Sequence, residues 1–253
     1  MRVATWNMQG ASAYGENSFL LLNSILNGEN IDVMCLQECG CLSDRLDWEP
    51  DENPNIKHAE YYIPTRSRGV AYHVLHCEWG NSNDRCSLAV IIKGVYFNEL
   101  CYSLYFKYSD DTRPLLGVYI KDFDCGFFTA HCPSGVSKFA QTYINQGLSV
   151  IKKDKANNIF SKFVVAGDFN IRAKDFTEII GVKKHYPMNK SGEPVDTQKS
   201  GGCLDYCVTN SCLNPNNIEI LDFGKYGQDG KDHSDHKMVI FDFQYFGKFL
   251  PKN

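Results

Sequence analysis

The chain has 253 residues, a formal net charge of −4, 43% hydrophobic residues and 11 cysteines. Charged residues make up only 22% and mix both signs, which excludes a disordered or low-complexity protein. No run approaches the roughly 18 apolar residues of a membrane span, and the slight acidity excludes a basic protein that coats nucleic acid in bulk. A chain of this length can bury a core without staples. With no linker, repeat or charge block, it reads as a single domain over residues 1–253.

The chain opens directly into a strand, Arg2–Trp6, without the charged, apolar and small-residue succession of a secretory signal. Phe19–Leu26 reads as a short amphipathic helix, and Asp32–Gln37 as a buried strand. Tyr61–Ile63, Val70–Cys77, Cys86–Ile92, Tyr102–Phe106, Leu115–Ile120 and Gly126–His131 follow as strands rich in Val, Ile, Tyr and Phe. Val136–Lys155 is the strongest helix, with apolar residues at 139, 143, 144, 148 and 151 on one face. Phe163–Ala166 is a strand leading into Gly167-Asp168-Phe169-Asn170, and Lys174–Ile180 reads as a short helix. Leu204–Val208, Ile218–Leu221 and Met238–Phe243 complete the strands. The stretch from His185 to Gly202 is long enough for a loop to predict a functional or mobile role. Many strands with helices between some of them predict packed sheets covered by helices.

The scattered cysteines form no C-x-x-C pair, so a structural zinc site is not expected. They read as buried free thiols, with a Cys203–Cys212 disulfide left open.

Polar residues gather where strands end. Asn7 follows the first strand, Gln37-Glu38 the second, His131 a Phe-rich strand, and Asp168 and Asn170 the Val164-Val165-Ala166 run. Asp205 lies in Leu204-Asp205-Tyr206, and Ser234-Asp235-His236 precedes the last strand. Taken singly, each is more often a turn former or a satisfied polar group. Together their types are complementary. Glu38, Asp168, Asp205 and Asp235 suit a hard divalent cation, Asn7 and Asn170 offer amides, and His131 and His236 can move protons near neutral pH. That inventory fits phosphodiester cleavage.

In chain order, Trp6-Asn7-Met8-Gln9-Gly10, Gln37-Glu38, Gly167-Asp168-Phe169-Asn170, Leu204-Asp205-Tyr206 and Ser234-Asp235-His236 resemble the motifs of the endonuclease/exonuclease/phosphatase (deoxyribonuclease I-like) superfamily. The opening through Ala13, Thr65-Arg66-Ser67-Arg68, the run from Arg85 to Ile91, Arg113-Pro114 with Gly117, and Phe127–His131 are similar to the catalytic B subunits of cytolethal distending toxins. The resemblance extends from about residue 2 to residue 243.

The resemblance implies an α/β fold of the α+β kind: two packed mixed β-sheets forming a sandwich flanked by helices, with the site at one edge. It implies Mg²⁺ as cofactor, with Mn²⁺ or Ca²⁺ as alternatives. Glu38 would be the principal ligand, with Asp235 and Asn7 nearby. Asp168 and Asn170 would position the attacking water and the phosphate, and Asp205 would hold the ring of His236. His131 would protonate the leaving oxygen, although the sequence leaves open which histidine is acid and which is base. Arg85 and Arg113, with Arg66 and Arg68, match arginines that bind DNA phosphates. For Arg85 and Arg113, ordinary surface ion pairing is an equal alternative.

Two departures from the pattern stand out. The acidic partner of His131 is not evident, and Glu78 is a candidate by position only. The acidic segment from Cys39 to Lys57 should lie away from a DNA groove or bind a partner. His73, His76 and His185 carry no motif and read as structural, and His233 as a loop residue.

Three functions follow as expectations. The first is a Mg²⁺-dependent DNA endonuclease of the toxin type, working with carrier subunits and acting in the nucleus of a target cell after secretion, with an intracellular protein as the alternative. The second is a phosphatase on phosphoinositides or other phosphomonoesters, and the third a binding module without catalysis.

Overall fold

The computed structural model describes residues 1–9, 16–40, 42, 46–63, 69–78, 86–96, 101–107, 113–156, 160–223 and 234–244. The first strand, β1 (Arg2–Asn7), is fully buried from Val3 onward. It pairs in parallel with β2 (Val33–Gln37) and antiparallel with the last strand, β14 (Val239–Asp242). Four strands extend the sheet beyond β2: β6 (Leu88–Lys93), β5 (Val70–Cys77), β4 (Ile56–Ile63) and the two-residue β3 (Glu49–Pro50). On the other side, β13 (Asn217–Ile220) lies outside β14 and completes eight strands. The second sheet has six, in the order β11 (Val182–His185), β12 (Asp205–Asn210), β10 (Lys162–Asp168), β9 (Cys125–His131), β8 (Leu115–Ile120) and β7 (Cys101–Phe106). Both sheets mix parallel and antiparallel pairs, and they pack face to face through β1, β2 and β6 against β8, β9, β10 and β12.

Strand alternation sorts the side chains into three layers. Val3, Val33, Cys35, Val90, Phe127, Val164 and Cys207 fill the space between the sheets. Ala4, Trp6, Met34 and Leu36 face outward from the first sheet, under Leu22, Ile25 and Leu26 of α1 (Glu16–Gly28). Phe128 and Val165 face outward from the second, under Ala140, Ile144, Leu148 and Ile151 of α2 (Ser137–Ala156). Phe139, expected on the buried face of that helix, is 61% exposed. Ala140 takes the buried position instead. Among the described residues, no helix is long and apolar enough to cross a membrane.

The helix expected over Lys174–Ile180 is absent. Residues 173–175 form one turn, and residues 176–180 form no helix. Phe176 is buried edge-on against Phe169 and Tyr206, at 6.2 and 6.1 Å between ring centroids. Lys184 Nζ donates to the carbonyls of Ala173 and Phe176, both at 2.9 Å, and Thr177 N donates to Gln141 Oε1 at 2.8 Å. Backbone groups that a helix would pair are thus taken by side chains from elsewhere. The Cys203–Cys212 disulfide is also absent, because both cysteines are free, one buried and the other exposed. Burial pushes the Cys35 thiol up to about 12, in keeping with inert core thiols. Within the acidic segment, Glu49–Pro50 forms the sheet edge four strands from β2.

Candidate active site

The layer between the sheets changes character along its length. It is apolar at Val3, Val33, Phe127 and Val164, and polar at the same-face positions further along: Thr5, Asn7, Gln37, Thr129, His131 and Asp168. The change occurs at one end of the sandwich because β1 and β2 run parallel, as do β9 and β10, so their C-terminal ends coincide. The antiparallel strand β12 starts there, with Asp205 opposite Asp168 in register. His131 is the parallel register partner of Asp168. Gly167 permits this approach, since a Cβ at that position would lie 1.9 Å from the Ala130 carbonyl oxygen.

Within two residues of the ends of β1, β2 and β10 stands a residue in the left-handed region: Gln9 (φ 54), Glu38 (φ 47) and Asn170 (φ 49). Two of these turns are closed by side-chain carbonyl or carboxylate oxygens, with Gln9 N donating to Asn7 Oδ1 and Asn170 N to Asp168 Oδ1, both at 2.9 Å. Non-glycine residues held there cluster at functional sites.

The titratable side chains form a continuous chain of contacts. Both oxygens of Asp205 accept from His236 Nδ1, at 2.9 and 3.1 Å, so Nδ1 carries a proton. His236 Nε2 is 3.5 Å from Asp235 Oδ1 and 3.9 Å from Asp168 Oδ2. Asp168 Oδ2 accepts from Asn7 Nδ2 at 2.9 Å and Asn170 Nδ2 at 3.1 Å. His131 Nε2 is 3.8 Å from the same oxygen and 3.5 Å from Glu38 Oε1. All eight residues expected to carry catalysis or metal binding are therefore brought together.

Electrostatics separate the two histidines. Burial opposes a charge on His236, but the hydrogen bond and charge of Asp205, with Asp168 and Asp235, outweigh it and lift the pKa to about 9. Burial, Arg113 and His236 hold His131 well below its ordinary value. Burial and the neighbouring Asp205 raise Asp168 to about 7, against the opposing effects of His236, Asn170 and Asn7. The free site thus pairs a charged imidazole with a neutral one, beside a carboxyl that titrates near neutrality.

The donor set fits a hard cation on oxygen ligands. Among the described residues, Asp235 Oδ1 is buried and accepts no hydrogen bond, and Glu38 Oε1 lies 3.5 Å from His131 Nε2. Asp168, Asp205 and His236 also bring three ligand atoms within 4.8 Å of one another. Asp205 is already engaged by His236 through both oxygens. Asn7 turns its amide nitrogen to Asp168 and its oxygen to Gln9 N, which makes it a support for Asp168 first.

The four arginines divide. Arg113 Nη1 donates to the Cys132 carbonyl at 3.1 Å and the His131 carbonyl at 3.4 Å, placing its charge behind the imidazole. Arg66, Arg68 and Arg85 lie outside the described residues, as does His233. Glu78 does not serve His131. It forms an ion pair with Lys57, its neighbour on the first sheet, while His131 stands on the second. The carboxylates facing His131 Nε2 are Glu38 and Asp168.

The loop from His185 to Gly202 supplies residues that no motif marked. Thr197 Oγ1 accepts from the backbone of Leu204 and Asp205 at 2.9 and 3.0 Å, fixing the start of β12. Gln198 bridges to His236 and donates from its side chain to Asp235 Oδ2 at 3.3 Å. Gln9 Oε1 accepts from Asp235 N at 3.1 Å. The unusual length of the loop was the signal available for Thr197 and Gln198.

Two mixed sheets with an acid–histidine cluster at one edge define a deoxyribonuclease I-like hydrolase, and the chain belongs to the Endonuclease/Exonuclease/phosphatase family, which it matches over residues 4–236. It is 25% identical over 224 residues to the B subunit of the cytolethal distending toxin of Escherichia coli, covering 84% of this chain and 80% of that protein. Its fold is similar to the crystal structure of cytolethal distending toxin from Actinobacillus actinomycetemcomitans, with a TM-score of 0.75 at 22% identity over 96% of this chain and 98% of that one. It is also similar to truncated Caenorhabditis elegans TDP2, with a TM-score of 0.62 at 15% identity over 96% and 97% of the two chains.

Proposed function

We propose that this protein is a Mg²⁺-dependent DNA endonuclease of the cytolethal distending toxin type. The observation that carries the reading is the unbroken run of contacts from Asp205 through His236, Asp168 and His131 to Glu38. Its parts are an acid that titrates near neutrality, a charged donor and a neutral imidazole.

Each residue has a task in phosphodiester hydrolysis. Asp168, held by Asn7 and Asn170, orients the attacking water and accepts its proton. His236, kept charged by Asp205, donates from Nε2 to a non-bridging phosphate oxygen. His131 is neutral in the free protein. A bound phosphate opposes the effects of burial and Arg113 and favours the protonated ring, which places a proton beside the leaving 3′ oxygen. Glu38 and Asp235 would hold Mg²⁺, which when bound supplies positive charge at the phosphoryl oxygens. Arg113, with Arg66, Arg68 and Arg85, would attract the DNA backbone.

The charge balance supports this division. Once the four acids assigned to the site are set aside, acids and Lys plus Arg are equal in number, so the rest of the chain is neutral by count. The E. coli relative is one component of a toxin. By analogy, this chain would be secreted with carrier subunits and act on nuclear DNA.

The test is nicking of supercoiled plasmid with and without Mg²⁺, run beside phosphate release from a phosphoinositide. Chelator-sensitive nicking supports the proposal. Phosphate release without nicking would assign the site to a phosphomonoester instead.

A further inference from the structure

Glu38 reaches His131 against the alternation of its own strand. Met34 and Leu36 of β2 face outward toward α1, while Val33 and Cys35 face inward. Gln37 also faces inward, where its Nε2 donates to Thr129 Oγ1 at 2.8 Å. The next residue would point outward if the strand continued. Instead, Glu38 turns to φ 47 and its carboxylate lies 3.5 Å from His131 on the other sheet.

The turn is strapped from the outer side. His76 is completely buried, and its Nε2 meets the Gly40 carbonyl oxygen at 2.7 Å. A carbonyl can only accept, so the ring carries its proton on Nε2. Ser87 Oγ, also completely buried, donates to the same oxygen at 2.7 Å. The Ser87 backbone carbonyl accepts from Cys39 N at 3.3 Å. Gly40 has φ 59, so the backbone from 38 to 40 carries two left-handed residues on either side of Cys39. Trp48 packs on the His76 ring, with centroids 5.3 Å apart, and Lys57 Nζ lies 4.9 Å from the Trp48 ring centre. The acidic segment therefore contributes a cover for this imidazole.

We infer that His76 and Ser87 are positioning residues that aim Glu38 into the active site by clamping the Gly40 carbonyl. The inference rests on the proposed role of Glu38 as a cation ligand. Supporting residues of this kind affect metal affinity about 10- to 100-fold.

The test uses Ser87→Ala and His76→Phe, each of which removes one donor, and His76→Gln, which restores a donor. Mg²⁺ binding is measured by titration calorimetry without substrate, and the His131 ring resonances are followed by NMR in metal-free protein. The expected result is Mg²⁺ affinity weakened about 10-fold in Ser87→Ala and His76→Phe, recovery in His76→Gln, and shifted His131 resonances wherever affinity falls. Wild-type resonances and affinity in folded Ser87→Ala would overturn the inference, and that variant decides the matter if His76→Phe fails to fold. If the wild type binds no Mg²⁺, the cation role of Glu38 fails. The His131 resonances then decide alone: a shift in Ser87→Ala supports the clamp, and no shift overturns it.

Discussion

Asn7 Nδ2 donates to Asp168 Oδ2 at 2.9 Å, joining the two sheets at the polar end of the sandwich. The bond stabilises the ionised carboxylate in a place where burial and Asp205 oppose ionisation. Without it, Asp168 loses a donor that no water replaces cheaply.

Asn7→Ala should therefore raise the Asp168 pKa further. The acid limb of the kcat/KM profile should move to higher pH, with a stability loss of about 1–3 kcal/mol from the unpaired buried group. A pH–rate series together with urea unfolding checks both effects.

Asp205→Asn should be among the most damaging single changes. Both oxygens of Asp205 hold His236 Nδ1, so the amide loses the charge that keeps the ring protonated. Activity should fall by roughly 10²- to 10⁴-fold, with the fold retained by circular dichroism.

The raised pKa of His236 links stability to pH in metal-free protein. A base whose folded pKa exceeds its unfolded value adds stability that is complete below the unfolded pKa, ordinarily near 6.5, and is lost as the pH rises through about 9. Wild type should therefore exceed His236→Gln in unfolding free energy most clearly near pH 6. The gap should narrow through pH 9 in urea titrations with chelator present.

Gly167→Ala tests the strand approach that sets His131 beside Asp168. The new methyl would meet the Ala130 carbonyl oxygen at 1.9 Å, so β9 and β10 must part. The expected cost is about 1–3 kcal/mol. Activity should fall even at temperatures where the variant is folded, because the displaced pair holds two of the proposed proton carriers.

Much of this arrangement was legible in the sequence because the polar cluster sits where mainly apolar strands end. Arg2–Trp6, Asp32–Gln37 and Phe163–Ala166 read as strands, and Asn7, Glu38 and Asp168, within two residues of their ends, come together. What alternation could not disclose was backbone that departs from it. Glu38 points inward only because its φ is positive, and the His76–Gly40 contact joins positions 36 residues apart without a motif. The failure at Lys174–Ile180 has the same origin: its periodicity suited a helix, but Lys184 and Gln141 captured its backbone from outside the segment. Glu78, a candidate by position only, pairs with Lys57 at the first sheet, whereas His131 stands on the second.

Asp168 and His236 are proposed to work as parts of one catalytic unit, and the rest of the mechanism depends on that coupling. The decisive measurement is a double-mutant cycle on plasmid nicking, with Asp168→Asn, His236→Gln and the combined variant. Each single change is expected to cost roughly 10²- to 10⁴-fold, with the double variant little worse than the poorer single one. Costs that multiply in the double variant, or nicking that survives both changes, would contradict it.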